Sequence, residues 1–142
     1  MFKFIGNFKY FIKNVEKKFI IWYYTIMDKF ELEINKSRFL AYKLDLNSVD
    51  EVKPFIESLK KEHKKARHFC YAYVFNKEVV SEKCSDDGEP GGTAGYPILN
   101  VIKKKGLSNI LVVVVRYFGG IKLGAGGLTR AYTKACAGVL DK

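Results

Sequence analysis

The chain of 142 residues has few cysteines, histidines and prolines, and its acidic residues are outnumbered by basic ones. Its three cysteines are an odd number and no secretory signal pattern accompanies them, which indicates reduced thiols in a cytosol rather than a disulfide framework. The 25 Lys and Arg residues against 15 Asp and Glu residues give a formal net charge of +10. Such an excess is typical of domains that meet nucleic acid, the ribosome or an acidic surface.

The N-terminal part of the chain lacks an apolar run that could span a bilayer. The apolar stretch FIIWYYTIM, which ends at Met27, is far too short, and no small-residue cleavage site follows it. Residues 1–26 are then either a basic, aromatic, amphipathic segment that lies on a membrane or on the domain itself, or upstream sequence translated before a start at Met27. We favour the second interpretation and predict one domain over residues 27–142.

Strand-like and helix-like patterns alternate from Lys29 onward, without an internal repeat or a low-complexity linker. Ser48 and Glu51 form a capping-box pattern, and Pro54 predicts a distorted first turn in the helix that follows. Six apolar residues in a row, 110–115, predict a strand covered on both faces. Strands are predicted at 30–34, 39–46, 68–75, 78–84 and 110–115, and helices within 48–66, 93–106 and 126–142.

The densest acid lies in one stretch, SDDGEPGGTAGYPI (residues 85–98), which we call the acidic stretch. Asp86, Asp87 and Glu89 could perform acid–base catalysis if their environments separate their pKa values. Three carboxylates could also hold Mg²⁺, although the spacing is not that of a regular metal site. The interpretation that we favour is structural, with Asp86 and Asp87 capping backbone N–H groups and pairing with basic residues.

A second glycine-rich sequence, RYFGGIKLGAGGLTR (residues 116–130), follows the predicted buried strand and opens a helix; we call it the basic stretch. It is neither a Walker loop nor a Rossmann fingerprint. Its glycines could serve close backbone packing, or the free N–H groups of the helix start could bind an anion. The candidate anion-binding residues are Arg116, Gly119, Gly120, Lys122, Gly124, Gly126, Gly127 and Arg130.

Histidine and cysteine side chains offer two further hypotheses, and both are weaker than a structural role. His68 and Cys70 alternate on one strand face, but residues two apart on a strand are separated by roughly 7 Å, too far for a nucleophile and its base. A zinc ion held by His63, His68, Cys70 and Cys84 is conceivable, but these residues lack paired short spacings. We therefore predict no metal site, and His68 joins the three carboxylates only as a weak catalytic candidate.

Four strings together resemble the YigZ/IMPACT family: KSRFLAY, HFCYAYVF, SDDGEPGGTAGYPILNV and VVVVRYFGGIKLGAGGLTRAY. They occur in order between about Met27 and the C-terminus. The resemblance implies an α/β (α+β) two-layer sandwich, similar to the second domain of a small-subunit ribosomal protein and to domain IV of elongation factor G. It also implies an unusual left-handed βαβ crossover. Gly91 and Tyr96 depart from the family, where Ser and Arg are usual, which weakens any site that needs that basic group.

The resemblance also carries functional expectations. Family members usually begin near Met27, and bacterial members usually carry a C-terminal ferredoxin-like domain, so the chain is expected to be an N-terminal module or a shortened product. Eukaryotic IMPACT proteins regulate translation. The chain is therefore expected to be a cytoplasmic binding module, rather than an enzyme, that contacts ribosome, RNA or a translation factor. No cofactor and no membrane contact is expected.

Two predictions about the tertiary structure follow. The acidic and basic stretches should lie close together, with Asp86 or Asp87 against Arg116 or Arg130, because each adjoins a strand end. Arg116, Lys122 and Arg130 should then form, with the N–H groups of residues 124–127, a site for an anionic partner such as RNA phosphate. The alternative function is a hydrolase that uses the carboxylates of the acidic stretch.

Overall fold

The computed structural model of the protein describes residues 29–142, so our interpretation of residues 1–26 lies outside the described residues. A single 3₁₀ turn, Val49–Glu51, precedes the first helix. The elements are, in chain order, β1 (Lys29–Ile34), β2 (Ser37–Asp45), α1 (Val52–Glu62), β3 (His68–Phe75), β4 (Ser81–Ser85), α2 (Gly95–Lys104), β5 (Ile110–Tyr117) and α3 (Gly124–Leu140). None of these helices is long and apolar enough to cross a membrane.

The strands form one sheet in the order β1-β2-β5-β3-β4, and every neighbouring pair is antiparallel. Asn35 and Lys36 make the turn between β1 and β2 with positive φ angles of 48° and 67°, the conformation that a two-residue hairpin turn requires. β2 and β3 both run antiparallel to β5, which lies between them, so the α1 connection joins two parallel strands. The left-handed sense of this β2–α1–β3 crossover remains a prediction.

Both faces of the central strand β5 are buried, as its apolar run predicts. Leu111, Val113 and Val115 face α1, whereas residues 110, 112 and 114 face α2 and α3. The α+β class is confirmed. Helix α1 adds a third layer to the two-layer sandwich implied by the family resemblance, because a central strand with apolar side chains on both faces needs cover on both.

Local sequence signals place most elements, and the largest displacement of a strand start is in β4. The capping box at Ser48 and Glu51 is present, and it opens the 3₁₀ turn that leads into α1, with Pro54 in the first turn of that helix. β4 pairs with β3 as predicted but begins at Ser81 rather than at residue 78. Val79 and Val80 are instead exposed in a longer loop, because apolar residues there find no facing layer.

The topology brings the two functional stretches to one end of the sheet. Arg116, near the end of β5, lies opposite Phe39 near the start of β2 and opposite His68 at the start of β3. The acidic stretch leaves β4 at the same end, because Ser85 pairs with Tyr71 close to the start of β3. Candidate residues that are separated along the chain therefore meet here.

Candidate functional site

Asp86 organises the connection between β4 and α2. Its Oδ1 accepts hydrogen bonds from the N–H groups of Ala94 and Gly95, at 3.1 and 2.8 Å, and its Oδ2 accepts one from Gly92 at 2.9 Å. Burial raises the pKa of this carboxyl, but the three N–H groups together outweigh burial and hold the pKa below its usual value. The carboxylate is thus charged and bound to the backbone at the start of α2, which is the structural role favoured from the sequence.

Asp87 ties the acidic stretch to β3. Its Oδ2 accepts the N–H of Phe69 at 2.7 Å, and its carbonyl oxygen lies 2.9 Å from Nδ1 of His68. Because a carbonyl oxygen only accepts, Nδ1 of His68 carries the proton in this contact. Both Asp87 and His68 therefore have structural partners within the fold.

The central contact of the site is a buried ion pair between Glu89 and Arg116. Nη1 of Arg116 lies 3.0 and 2.9 Å from the two carboxylate oxygens of Glu89, and Nη2 donates to Oγ of Ser37 at 3.1 Å. The two charged side chains are only 3% and 6% exposed. Removing one partner of such a pair leaves a buried charge without compensation, which costs about 3–5 kcal/mol.

This ion pair confirms that the two stretches meet, but it corrects the expected partners. Glu89, rather than Asp86 or Asp87, binds Arg116, because the carboxylates of both aspartates already accept backbone N–H groups. Arg130 makes no ion pair with a described residue. Arg116 therefore anchors the basic stretch to the fold and is not free to bind an anion through its Nη atoms.

Aromatic and thiol groups complete the buried network. The hydroxyl of Tyr132 donates to Glu89, and the thiol of Cys70 lies 3.1 Å from the carbonyl oxygen of Asp86 and 3.4 Å from Oη of Tyr132. Burial raises the pKa of both Tyr132 and Cys70, so each keeps its proton. A protonated, buried thiol is a poor nucleophile, which argues against a Cys–His pair here.

A surface depression of about 320 Å³ lies over this network, and we call it the Arg116 depression. Exposed cations, Arg67 and Lys122, stand on its wall, and Phe118, 37% exposed, lies beneath the Arg67 guanidinium at 5.2 Å. The first residues of α3 complete the wall. Its other lining residues include His68, Glu89, Pro90, Leu123, Gly124, Ala125 and Leu128.

The structure divides the anion-binding residues predicted from the sequence into separate groups. Lys122 and Gly124 line the Arg116 depression, whereas Gly127 and Arg130 line a second depression of about 630 Å³ beside the β1–β2 turn. The two groups share the start of α3 but not a pocket. Gly120 is an exposed residue of the loop before α3, and Gly126 lies in the first turn of α3 against the Arg130 guanidinium.

Gly119 has a packing role instead of an anion-binding one. A Cβ at this position would lie 2.1 Å from the carbonyl carbon of Lys36, so only glycine allows the basic stretch to pass under the β1–β2 turn. Its N–H donates to Oγ of Ser37, the same oxygen that Arg116 contacts. The packing interpretation of the glycines therefore holds at this position.

Three residues of this site were not identified from the sequence. They are Arg67 on the wall of the depression, Phe118 beneath its guanidinium, and Ser37, which accepts hydrogen bonds from Arg116 and Gly119. Arg67 follows two lysines just before β3, and that basic run was an available signal. Ser37 gave no signal, because its role depends on contacts with residues 116 and 119, far along the chain.

The four residues considered for zinc lie in different surroundings. His63 is buried between the hydroxyls of Tyr42 and Tyr117, and burial lowers its pKa to about 4. Cys84 is exposed on β4, whereas Cys70 is buried beneath the ion pair. Within residues 29–142, no group of three or more His, Cys, Asp and Glu side chains is arranged to hold a metal ion.

The fold and the buried ion pair between Glu89 and Arg116 define an α+β module. Comparison with known protein families identifies the class to which this module belongs. Residues 35–140 match the family model described as the Impact N-terminal domain. The chain belongs to the IMPACT family.

Relatives in bacteria share nearly half of the aligned residues. The chain is 48% identical over 115 residues to "IMPACT family member YvyE" of Bacillus subtilis. The aligned region covers 80% of this chain and 53% of that protein. It is 48% identical over 102 residues to "IMPACT family member YigZ" of Escherichia coli. The aligned region covers 70% of this chain and 50% of that protein. The chain thus spans about half the length of these curated relatives.

Two solved structures share the fold. One, titled "Crystal structure of an hypothetical protein", is 42% identical, with a TM-score of 0.76 over 80% of this chain and 56% of that one. The other, the two-domain translational regulator Yih1, is 24% identical, with a TM-score of 0.53 over 80% of this chain and 45% of that one. At that identity, the second similarity concerns the fold alone.

Proposed function

We propose that this chain is a binding module that acts on translation by contacting ribosomal RNA through the start of α3. Membership of the IMPACT family supports a role in translation, because the eukaryotic members of that family regulate translation. The excess of basic residues supports an anionic partner. A function on the ribosome implies a cytoplasmic location, which is part of the same proposal.

The observation that carries the proposal is a group of three exposed cations, Arg67, Lys122 and Arg130, around the start of one helix. None of them forms an ion pair with another residue of the described part of the chain. Arg130 and Lys122 flank the first turns of α3, whose N–H groups add partial positive charge. Phosphates of an RNA backbone match this arrangement, because each needs only a cation or an N–H donor.

The alternative, hydrolysis by the acidic stretch, has less support from the geometry. Asp86 and Asp87 are occupied by backbone N–H groups, and Glu89 is paired with Arg116. What remains is Nε2 of His68 at 3.6 Å from Glu89, at the edge of the Arg116 depression. Turnover that disappears in His68→Asn would be needed to favour this function.

Ribosome co-sedimentation across a salt series tests the proposal. Binding should weaken steeply with salt, and Lys122→Ala and Arg130→Ala should each reduce the slope of log affinity against log salt by roughly one unit. Both side chains are exposed, so their removal should change the free energy of unfolding by no more than about 0.5 kcal/mol.

The matched control is Lys104→Ala. This lysine is also exposed but lies in the last turn of α2, away from the start of α3. It should leave the salt slope unchanged. If all three variants bind ribosomes like the parent chain, the start of α3 is not the contact surface and the proposal is wrong.

A further inference from the structure

The Arg116 depression has features that a run of backbone phosphates does not require. It is a half-open depression of about 320 Å³ whose floor holds buried polar groups. A cavity of this size suits one small group, since ligand pockets begin at roughly 300 Å³. The question is which group its walls would recognise.

One wall is the start of α3, a helix of 17 residues whose first N–H groups are available. Leu123, at the N-cap position, makes no side-chain capping hydrogen bond, and the first turn contains no acidic residue. Gly124 and Ala125 line the depression directly. The first N–H groups of a helix lack partners within the helix, and its dipole favours an anion there.

A second, independent observation comes from the floor. The side chain of Arg116 is 6% exposed and lines the depression, and its Nε is a buried donor without a hydrogen-bond partner among residues 29–142. The Nη atoms are bound to Glu89 and Ser37, so only Nε is unsatisfied. Buried donors are nearly always paired, so the unpaired Nε is a position where a water or an anion could complete the hydrogen bonding.

The net charge of the walls selects among anions. Glu89 cancels Arg116, which leaves Arg67 and Lys122 as two uncompensated positive charges. A phosphate monoester carries about −1.5 to −2 at pH 7. An internal phosphodiester carries a single charge, so it would neutralise only one of these two cations. The Phe118 ring already lies against the guanidinium groups of Arg67 and Arg116, at 5.2 and 5.5 Å, and so helps to hold both cations at the depression.

We propose that the Arg116 depression binds a terminal phosphate monoester of a nucleotide, either free or at the 5′ end of an RNA. Lys122, Arg67 and the N–H groups of α3 hold the phosphate. The choice of a nucleotide rather than another phosphate ester rests on the proposed function in translation. The phosphate site itself rests on the geometry.

Calorimetric titration of the 142-residue chain tests the inference. The ligands are uridine, uridine 5′-monophosphate, and one tetranucleotide prepared with a 5′-hydroxyl or with a 5′-phosphate. The monophosphate should bind and uridine should not, and the 5′-phosphate should tighten tetranucleotide binding about tenfold or more, the effect of one strong charge-assisted contact. Binding of the tetranucleotide but not the monophosphate would identify an RNA end as the source of the phosphate.

Variants locate the binding. Lys122→Gln should weaken monophosphate binding about tenfold, whereas Lys104→Gln should leave it unchanged. Equal affinities for the two tetranucleotides would overturn the inference, as would binding that Lys122→Gln does not affect. Ribosome binding is measured separately on the same protein. If ribosomes bind but neither phosphorylated ligand does, the inference fails and the proposed function stands; the reverse result would reject the function and keep the site.

Discussion

At the scale of single residues, the three acids of the acidic stretch have three different tasks. Asp86 binds the backbone at the start of α2, Asp87 binds the N–H of Phe69, and Glu89 neutralises Arg116. Their spacing of four positions resembles a catalytic or metal-binding cluster in the sequence. The fold directs each carboxylate to its own partner, so proximity along the chain does not become a shared site.

Asp86 gives a prediction about pH dependence. Its pKa is lower in the folded state than in the unfolded chain, so its carboxylate stabilises the fold above the unfolded-state pKa. That contribution is lost as the pH falls through the folded-state pKa. Asp86→Asn should therefore lower the free energy of unfolding at neutral pH, by about 1 kcal/mol. The difference between the two proteins should shrink as the pH is lowered below the usual carboxyl range.

Urea unfolding at a series of pH values measures this difference. Asp141→Asn is the control, because Asp141 forms only an exposed ion pair with Lys105 and should contribute within about 0.5 kcal/mol throughout. A stability difference for Asp86→Asn that stays constant down to acid pH would mean that the charge of Asp86 does not stabilise the backbone around α2.

At the scale of elements, the basic stretch depends on the β1–β2 hairpin. The turn at Asn35 and Lys36 is held above Gly119, and Oγ of Ser37, just after the turn, receives hydrogen bonds from both Gly119 and Arg116. The hairpin thus fixes the path of the chain between β5 and α3. The position of Lys122 at the Arg116 depression follows from this path.

Gly119→Ala tests the close approach. Its Cβ would meet backbone atoms of Lys36, which cannot rotate away as a side chain would, so the turn must shift. We expect a loss of about 1–3 kcal/mol in the free energy of unfolding, as for other overpacked sites. Gly91→Ala is the matched control, since a Cβ there has no atom within 4 Å and its φ is not positive.

The same pair of variants can be compared by urea denaturation. Gly91→Ala should remain within about 0.5 kcal/mol of the parent chain. Equal effects of the two substitutions would show that the hairpin yields easily and that the packing of Gly119 under the turn is not specific.

At the scale of the whole molecule, both faces of the sheet are covered by helices of the described residues. β1 belongs to this unit, because the Phe30 ring occupies the space beside Gly138 of α3. Every described element begins at Lys29 or later. The boundary predicted at Met27 therefore leaves these elements intact.

A chain that begins at Met27 should unfold at the same urea concentration and with the same m-value as the 142-residue chain, because no buried surface of the described fold is removed. A chain that begins at Ser37 is the control; it lacks β1 and should be less stable, since it exposes the face of α3 that Phe30 covers. A clear loss of stability in the Met27 chain would show that residues 1–26 contribute to the fold.

The sequence by itself determined those features that depend on near neighbours along the chain. The capping box, the Asn35–Lys36 turn and the strand at 110–115 each follow from preferences of a few adjacent residues. The buried stripe of α3 follows in the same way from helical periodicity, and its predicted members are all buried: Leu128, Ala131, Tyr132, Ala135 and Val139.

Only the tertiary structure decided which charges are paired and which remain exposed. Proximity in the sequence does not show which of the three acidic residues pairs with Arg116. The carboxylates of Asp86 and Asp87 accept backbone N–H groups at the starts of α2 and β3, and only the carboxylate of Glu89 pairs with Arg116. The position of Arg67 at the Arg116 depression likewise depends on the tertiary structure. The residues meet because β3 lies beside β5 in the sheet, and strand order is a property of the whole core rather than of any local segment.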